Sequence, residues 1–159
     1  MMEEYSLDRF DRKILATLQA EPEITVAALA ERIGLSQTPC WRRLKALEQQ
    51  GYIARRAVIL DARRLGFTVD VFAHVRLARH DEDTLNAFEA EVLLHPQVVE
   101  CFSMSGESDY LLRTLCRSIE DYDRFLKKVL LHLPGVVAVN SSFSLKSVKV
   151  TTDLPIESE

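Results

Sequence analysis

Three helical patterns in the first sixty residues, and a weakly repeated strand–helix–strand pattern in the last ninety, predict an α+β chain of two domains. A third observation marks which end meets a charged partner: one short basic helix in a chain whose formal net charge is −4. The expected architecture is an N-terminal helix-turn-helix (winged-helix-like) domain with a linking strand over residues 1–60. A C-terminal ferredoxin-like β-α-β-β-α-β domain follows over 61–159.

The first helix is read in LDRFDRKILATLQAE, where Leu7, Phe10, Ile14, Leu15 and Leu18 recur at helical spacing. Asp8 and Asp11 suit its first turn and Pro22 closes it. ITVAALAERIG supplies the second, with Thr25 as N-cap, Leu29, Ala30 and Ile33 on one face and Gly34 as a left-handed C-cap. The third is GLSQTPCWRRLKALEQQG, residues 34–51. Ser36 or Thr38 caps it, Pro39 is tolerated only in its first turn, and Gly51 ends it.

At about 100° per residue, Cys40, Leu44 and Leu47 of this helix fall together and face a core. Thr38, Arg42, Lys45 and Gln49 lie opposite, with Gln37 and Trp41 on one flank, and Arg43 near the edge of the buried face. Residues 1–60 hold nine Lys/Arg against eight Asp/Glu, whereas 61–159 hold eleven against sixteen. Within 36–56 the basic residues are Arg42, Arg43, Lys45, Arg55 and Arg56, against the single acid Glu48. A basic helix presented by a tight turn is the arrangement that enters the DNA major groove N-terminus first. Ser36, Gln37, Thr38, Trp41, Arg42, Arg43, Lys45 and Arg55 are therefore the candidate DNA-contacting residues, with Arg42 and Lys45 suited to guanine or phosphate and Gln37 to adenine. Trp41 either packs on the first helix or touches DNA. The alternating Ala57, Ile59 and Leu60 predict a short linking strand, and DARRLG at 61–66 the domain boundary.

In the second half, LLHPQVVECFSMS (93–105) resembles LLHLPGVVAVNSSFS (130–144), the trace of a duplicated unit. The elements read as a strand at 69–77, a helix at 83–95, a strand at 98–104, a turn at 105–109, a strand at 110–116, a helix at 119–132 and a bent strand within 136–150. Both helices belong on one face of an antiparallel sheet. The other face is then open, and with Val71, Val75 and Leu112 assigned to it, a second copy of the chain is the expected cover.

No P-loop, nucleophile elbow or acid-paired histidine appears, so neither an enzyme nor a cofactor is expected. The three cysteines lack CxxC spacing and the four histidines are scattered, which gives no zinc pattern. No apolar run or secretory pattern is present, and the expected compartment is the cytoplasm. A polar cluster does stand out on otherwise apolar strands: Ser103, Ser105, Gly106, Asp109, Ser141 and Ser142. A carboxylate for an ammonium, with hydroxyls and backbone amides for a carboxylate, is what an α-amino acid requires. The alternative is ordinary polarity at sheet edges.

Taken together, the chain resembles the Lrp/AsnC (leucine-responsive/asparagine regulator) transcription factors. The resemblance rests on LDRFDRKILATLQ, on GLSQTPCWRRLKALEQQGYI, on SGESDYLL, and on LPGV followed by a serine pair and VK. It implies a DNA-binding regulator whose assembly or DNA affinity answers to a free amino acid bound between effector domains, and homodimers that assemble further, commonly to octamers. It places the recognition helix at 36–50. The effector site falls on Ser103, Met104, Gly106, Asp109 and Tyr110, and on Val139, Ser141 and Ser142. Ser108, where an aromatic is common in the family, and Met104 reshape the side-chain pocket. The ending VKVTTDLPIE resembles a subgroup in which some members answer to sulfur-containing amino acids. Two other readings remain: a DNA-architectural protein without a ligand, and a small ferredoxin-like enzyme such as a cofactor-free oxygenase.

Overall fold

The computed structural model describes residues 6–156. The chain divides into two compact units: residues up to Ile59 together with the tail from Lys149, and Leu60–Val148. The sequence reading carries the second domain to residue 159. In the structure the tail belongs instead with the N-terminal helices.

The first unit is built on α1 (Arg9–Ala20), α2 (Val26–Ile33) and α3 (Gln37–Gln49). Helix α1 begins in a capping box. The Asp8 carboxylate accepts from the Phe10 and Asp11 amides at 2.8 and 2.9 Å, and Asp11 accepts from the Asp8 amide at 3.2 Å. Thr25 caps α2 through the Ala28 amide, and Gly34 at φ 75° ends it in the left-handed region and starts the tight turn into α3. Ile14, Leu29, Ala30, Ile33, Cys40, Leu44 and Leu47 form the core, as their spacing predicts. The predicted linking strand does not form. Residues 54–60 pair with no strand among the described residues, and Val58 and Ile59 are 85% and 75% exposed. Alternation gives a segment the capacity to pair, but the chain supplies no edge for it.

The second unit runs β1 (Val69–Leu77), α4 (Glu82–Val92), β2 (Val98–Ser103), β3 (Tyr110–Cys116), α5 (Ile119–Lys128), a 3-10 turn (Leu130–His132) and β4 (Val136–Phe143). The four strands make an antiparallel sheet in the order β2-β3-β1-β4. The last strand stops at Phe143, opposite Val71, where its only neighbour β1 is running out. Beyond it the Ser144 amide still donates to the Asp70 carbonyl at 2.9 Å, and the predicted extension to Val150 does not form as strand among the described residues.

Phe88 and Val92 of α4, with Tyr122 and Phe125 of α5, pack on Val71, Ala73, Val75, Tyr110 and Leu112. This corrects the predicted assignment of faces. Val71, Val75 and Leu112 lie beneath the helices and are fully buried. The open face carries the alternate residues: Asp70, Phe72 and His74 of β1, Leu111, Arg113 and Leu115 of β3, and Phe102 of β2. The period-two pattern makes the odd residues of β1 one apolar face, and two amphipathic helices already cover it. Gly135 is required where the 3-10 turn enters β4. It has φ 74°, and a Cβ there would stand 2.5 Å from Thr84 Cγ2. Among the described residues no helix is long and apolar enough to cross a membrane.

Candidate DNA interface and effector site

Helix α3 is held by its apolar stripe, which leaves the remainder of its surface outward. Ser36, Gln37, Thr38, Arg42 and Lys45 are exposed, and Trp41 is 53% exposed. Trp41 therefore does not pack away against α1, and its ring is available to a partner. Ser36 occupies the N-cap position without a side-chain capping bond, at the helix end whose first amides have no intrahelical acceptor. Lys45 lies 2.7 Å from Glu48, which moderates its charge. Arg56 reaches Glu48 at 3.7 Å and the Pro22 carbonyl at 3.4 Å. Arg42 and Arg55 are exposed and make no ion pair among the described residues.

Arg43 has a different place. Its Nη1 stands 2.8 Å from Asp8 and 2.9 Å from Asp11, with the guanidinium over the Phe10 ring at 5.6 Å. Burial alone would weaken its charge. Its bonds to Asp11 and Asp8 outweigh that and raise its pKa. Arg43, read from the sequence as lying near the edge of the buried face, thus fastens the recognition helix to the capping box of α1.

The hairpin between β2 and β3 is closed by Asp109, whose carbonyl accepts from the Met104 amide at 2.8 Å. One Asp109 carboxylate oxygen accepts from the Leu77 amide at 2.7 Å, and the other lies 2.7 Å from His80 Nε2. The Leu77 amide is the main reason its pKa is lowered. Burial opposes this and His80 adds to it. Asp109, the carboxylate predicted to hold an ammonium, ties the loop to the end of β1. Gly106, at φ 135°, is exposed with open space where a Cβ would lie, so the backbone there can be approached freely.

The remaining predicted effector residues fall in two places. Ser103 and Met104 are exposed at the end of β2. Tyr110 is buried, and its hydroxyl donates to Glu89 at 2.6 Å. Burial first, and Glu89 second, push its pKa up. Val139 packs against the helix-side core, and the Ser141 hydroxyl is bonded to the buried Tyr122 hydroxyl. Ser142 is exposed on the opposite face, across from Phe72. Strands β2 and β4 are the two edges of the sheet with two strands between them, a separation of about 14 Å at ordinary strand spacing. That separation holds for Ser103 and Met104 against Ser142, whereas the end of the loop crosses to β1: Ser108 lies 3.3 Å from His74 and the Asp109 amide donates to the Val75 carbonyl, and β1 is the strand beside β4.

Sequence reasoning missed His80 and the Leu77 amide as partners of Asp109, because neither pairing leaves a local spacing. It also missed an open groove of about 410 Å³ beside the start of α4, lined by Arg79, Asp81, Asp83, Thr84, Pro134 and Gly135. The LPGV motif was its only sequence trace. Among the described residues no group of three or more His, Cys, Asp or Glu is placed to hold a metal ion.

A three-helix unit presenting an exposed basic helix, joined to an antiparallel sheet domain with a solvent-facing loop at one edge, defines a DNA-binding regulator with a separate ligand domain. The family comparisons agree on both halves. Residues 7–54 match the winged helix-turn-helix DNA-binding family, and residues 70–154 match the Lrp/AsnC ligand binding domain. The chain belongs to the Lrp/AsnC family of DNA-binding transcriptional regulators with an amino-acid-binding domain. It is 38% identical to the DNA-binding transcriptional activator DecR of Escherichia coli over 151 residues, 95% of this chain and 99% of the relative. It is 36% identical to the leucine-responsive regulatory protein of Salmonella typhimurium over 151 residues, 95% and 92% of the two chains. A transcriptional regulator of Neisseria meningitidis, solved as an L-Met complex, superposes with a TM-score of 0.89 at 38% identity, covering 94% of this chain and 97% of that one. These relatives are regulators, which leaves the oxygenase-like reading without support.

Proposed function

We propose that this regulator reads DNA with the exposed face of α3 and is switched by an amino acid held between copies of its sheet domain. Ser36, Gln37, Thr38 and Trp41 stand at the end of α3 that leads into the groove. Arg42, Lys45 and Arg55 supply the charge for guanine edges and phosphates. Arg43 sets the angle of the helix rather than touching DNA. Such a protein works where the DNA is, and the cytoplasm is the compartment we assign.

The separation of β2 from β4 carries the ligand reading. Ser103, Met104 and the loop amides around Gly106 lie at one edge, and Ser142 at the other. A ligand that uses both takes the loop of one copy and the β4 edge of another. The open sheet face favours such pairing. Phe72, Leu111 and Leu115 are only half-buried there and Phe102 is 51% exposed. Homodimers formed on this face, assembling further to octamers, are the state we assign. Binding between copies shifts the population toward one assembly and thereby the spacing of the α3 helices. The L-Met complex of the Neisseria meningitidis relative makes L-methionine the first ligand to try.

The test is complementation. Met104→Arg and Ser142→Arg each remove L-methionine binding in calorimetric titration. Mixed and re-assembled, the two variants regain part of the sites, because one site then draws both intact halves from different chains. No recovery on mixing, with each variant folded, would place the site within a single chain and contradict the proposal.

A further inference from the structure

We infer that the C-terminal tail is a strap that positions the DNA-binding unit, latched at Gln19. Strand β4 belongs to the sheet unit, yet the tail from Lys149 belongs to the unit of the three helices. The two units are therefore joined covalently twice, once between α3 and β1 and once after Phe143. A module on one flexible connection samples many orientations, and a second connection removes much of that freedom.

The latch is a two-point pairing. Gln19 Nε2 donates to the Leu154 carbonyl at 2.9 Å, and Gln19 Oε1 accepts from the Leu154 amide at 2.9 Å. A side-chain amide offers a donor and an acceptor side by side and so pairs with a peptide group as one strand residue pairs with another. The tail is shaped to present that peptide. The Asp153 amide donates to Thr151 Oγ1 at 3.0 Å, and the Ile156 amide to the Leu154 carbonyl at 2.8 Å. The Leu154 side chain is 68% exposed, so backbone pairing, not an apolar anchor, holds this point. Gln19 lies outside the apolar stripe of α1 that builds the core. Its one evident task is this pairing, and Ala in its place suits a helix. Because β4 also carries Ser142, a change at that edge of the sheet reaches the latch through the chain itself. That last step, and the paired half-sites used below, rest on the proposed pairing of copies and its ligand.

The test uses the full-length protein as wild type, as Gln19→Ala, as Gln19→Glu and as a chain ending at Val148. Amide hydrogen exchange is expected to show Leu154 protected in the wild type and unprotected in Gln19→Ala, with α1 unchanged. Gln19→Glu keeps the acceptor but loses the donor and falls between. DNA affinity is then read on duplexes selected from a random pool by the wild type. Gln19→Ala and the shortened chain are expected to lose about tenfold on a duplex with two half-sites and nothing on a single half-site, since the recognition helix is untouched. L-methionine is added last. Where it shifts wild-type affinity, the shift shrinks in both variants. If the wild type ignores L-methionine while the first two results hold, the strap stands and the methionine assignment falls. An unprotected Leu154 amide in the wild type, or equal two-half-site affinity in wild type, Gln19→Ala and the shortened chain, overturns the strap.

Discussion

The Asp11 carboxylate, 2% exposed, accepts a 2.9 Å hydrogen bond from Arg43, which binds the first helix to the recognition helix. Arg43→Ala leaves that carboxylate without its guanidinium partner. The pair is only partly shielded, with Arg43 30% exposed, so the expected loss is about 2 kcal/mol, below that for a fully buried pair. Urea denaturation of the variant, followed by helical circular dichroism, measures it.

The same cluster sets an acid limit. Burial raises the pKa of Asp8, but the Asp11 amide, Arg43 and the Phe10 amide together outweigh it and hold the carboxyl below its ordinary value of 3.8. A carboxyl depressed in the folded state contributes stability that is complete above its unfolded pKa and is lost as pH falls through the folded one. The helical unit should therefore lose stability below about pH 4, and less steeply in Arg43→Ala. Melting curves across pH 2–6 show whether the slope depends on Arg43.

Arg42 and Arg43 are neighbours in different surroundings: Arg42 is exposed, and Arg43 is bonded to Asp8 and Asp11. Arg42→Ala should weaken DNA binding and reduce the slope of log affinity against log salt by about 1, without changing stability. Arg43→Ala should lower stability first. Equal salt slopes in wild type and Arg42→Ala would remove Arg42 from the interface.

Asp109 should act through the loop. Asp109→Ala frees the Leu77 amide and His80, and the sheet unit is expected to lose about 1.5–3 kcal/mol, the range for a charged hydrogen-bond partner. The pKa of Asp109 is lowered, so its contribution is also complete above about pH 4 and fades as the medium becomes more acid. A variant as stable as the wild type would return Asp109 to ligand binding.

Gly135→Ala places a methyl 2.5 Å from Thr84 Cγ2 at a positive φ. Thr84→Ser removes the struck methyl and keeps the hydroxyl bonded to Asp81. The double variant should relieve the clash but keep a backbone penalty of about 1–2 kcal/mol. A double-mutant cycle separates the two contributions.

The fold was legible because its periodicities are clean. Cys40, Leu44 and Leu47 declare the buried side of α3, and Val71, Ala73 and Val75 that of β1. The facing of the sheet was misread because periodicity says which residues share a face, not which face the helices take. The site was less legible for a related reason. Asp109 looks like a ligand group in sequence, where its contacts to the Leu77 amide and His80 leave no trace. Ser141 and Ser142 are adjacent, yet one is bonded to Tyr122 and the other is exposed on the far face. The pairing of Gln19 with Leu154 spans 135 residues through a backbone peptide, which no residue pattern records.

The most direct measurement is fluorescence anisotropy of a selected duplex with the full-length protein, titrated with each of the twenty amino acids in turn. Tight binding is expected, shifted by at least one amino acid, L-methionine first, by about 5–150-fold, the ordinary range of allosteric coupling. Binding unchanged by all twenty would contradict it and leave a DNA-binding protein without this switch.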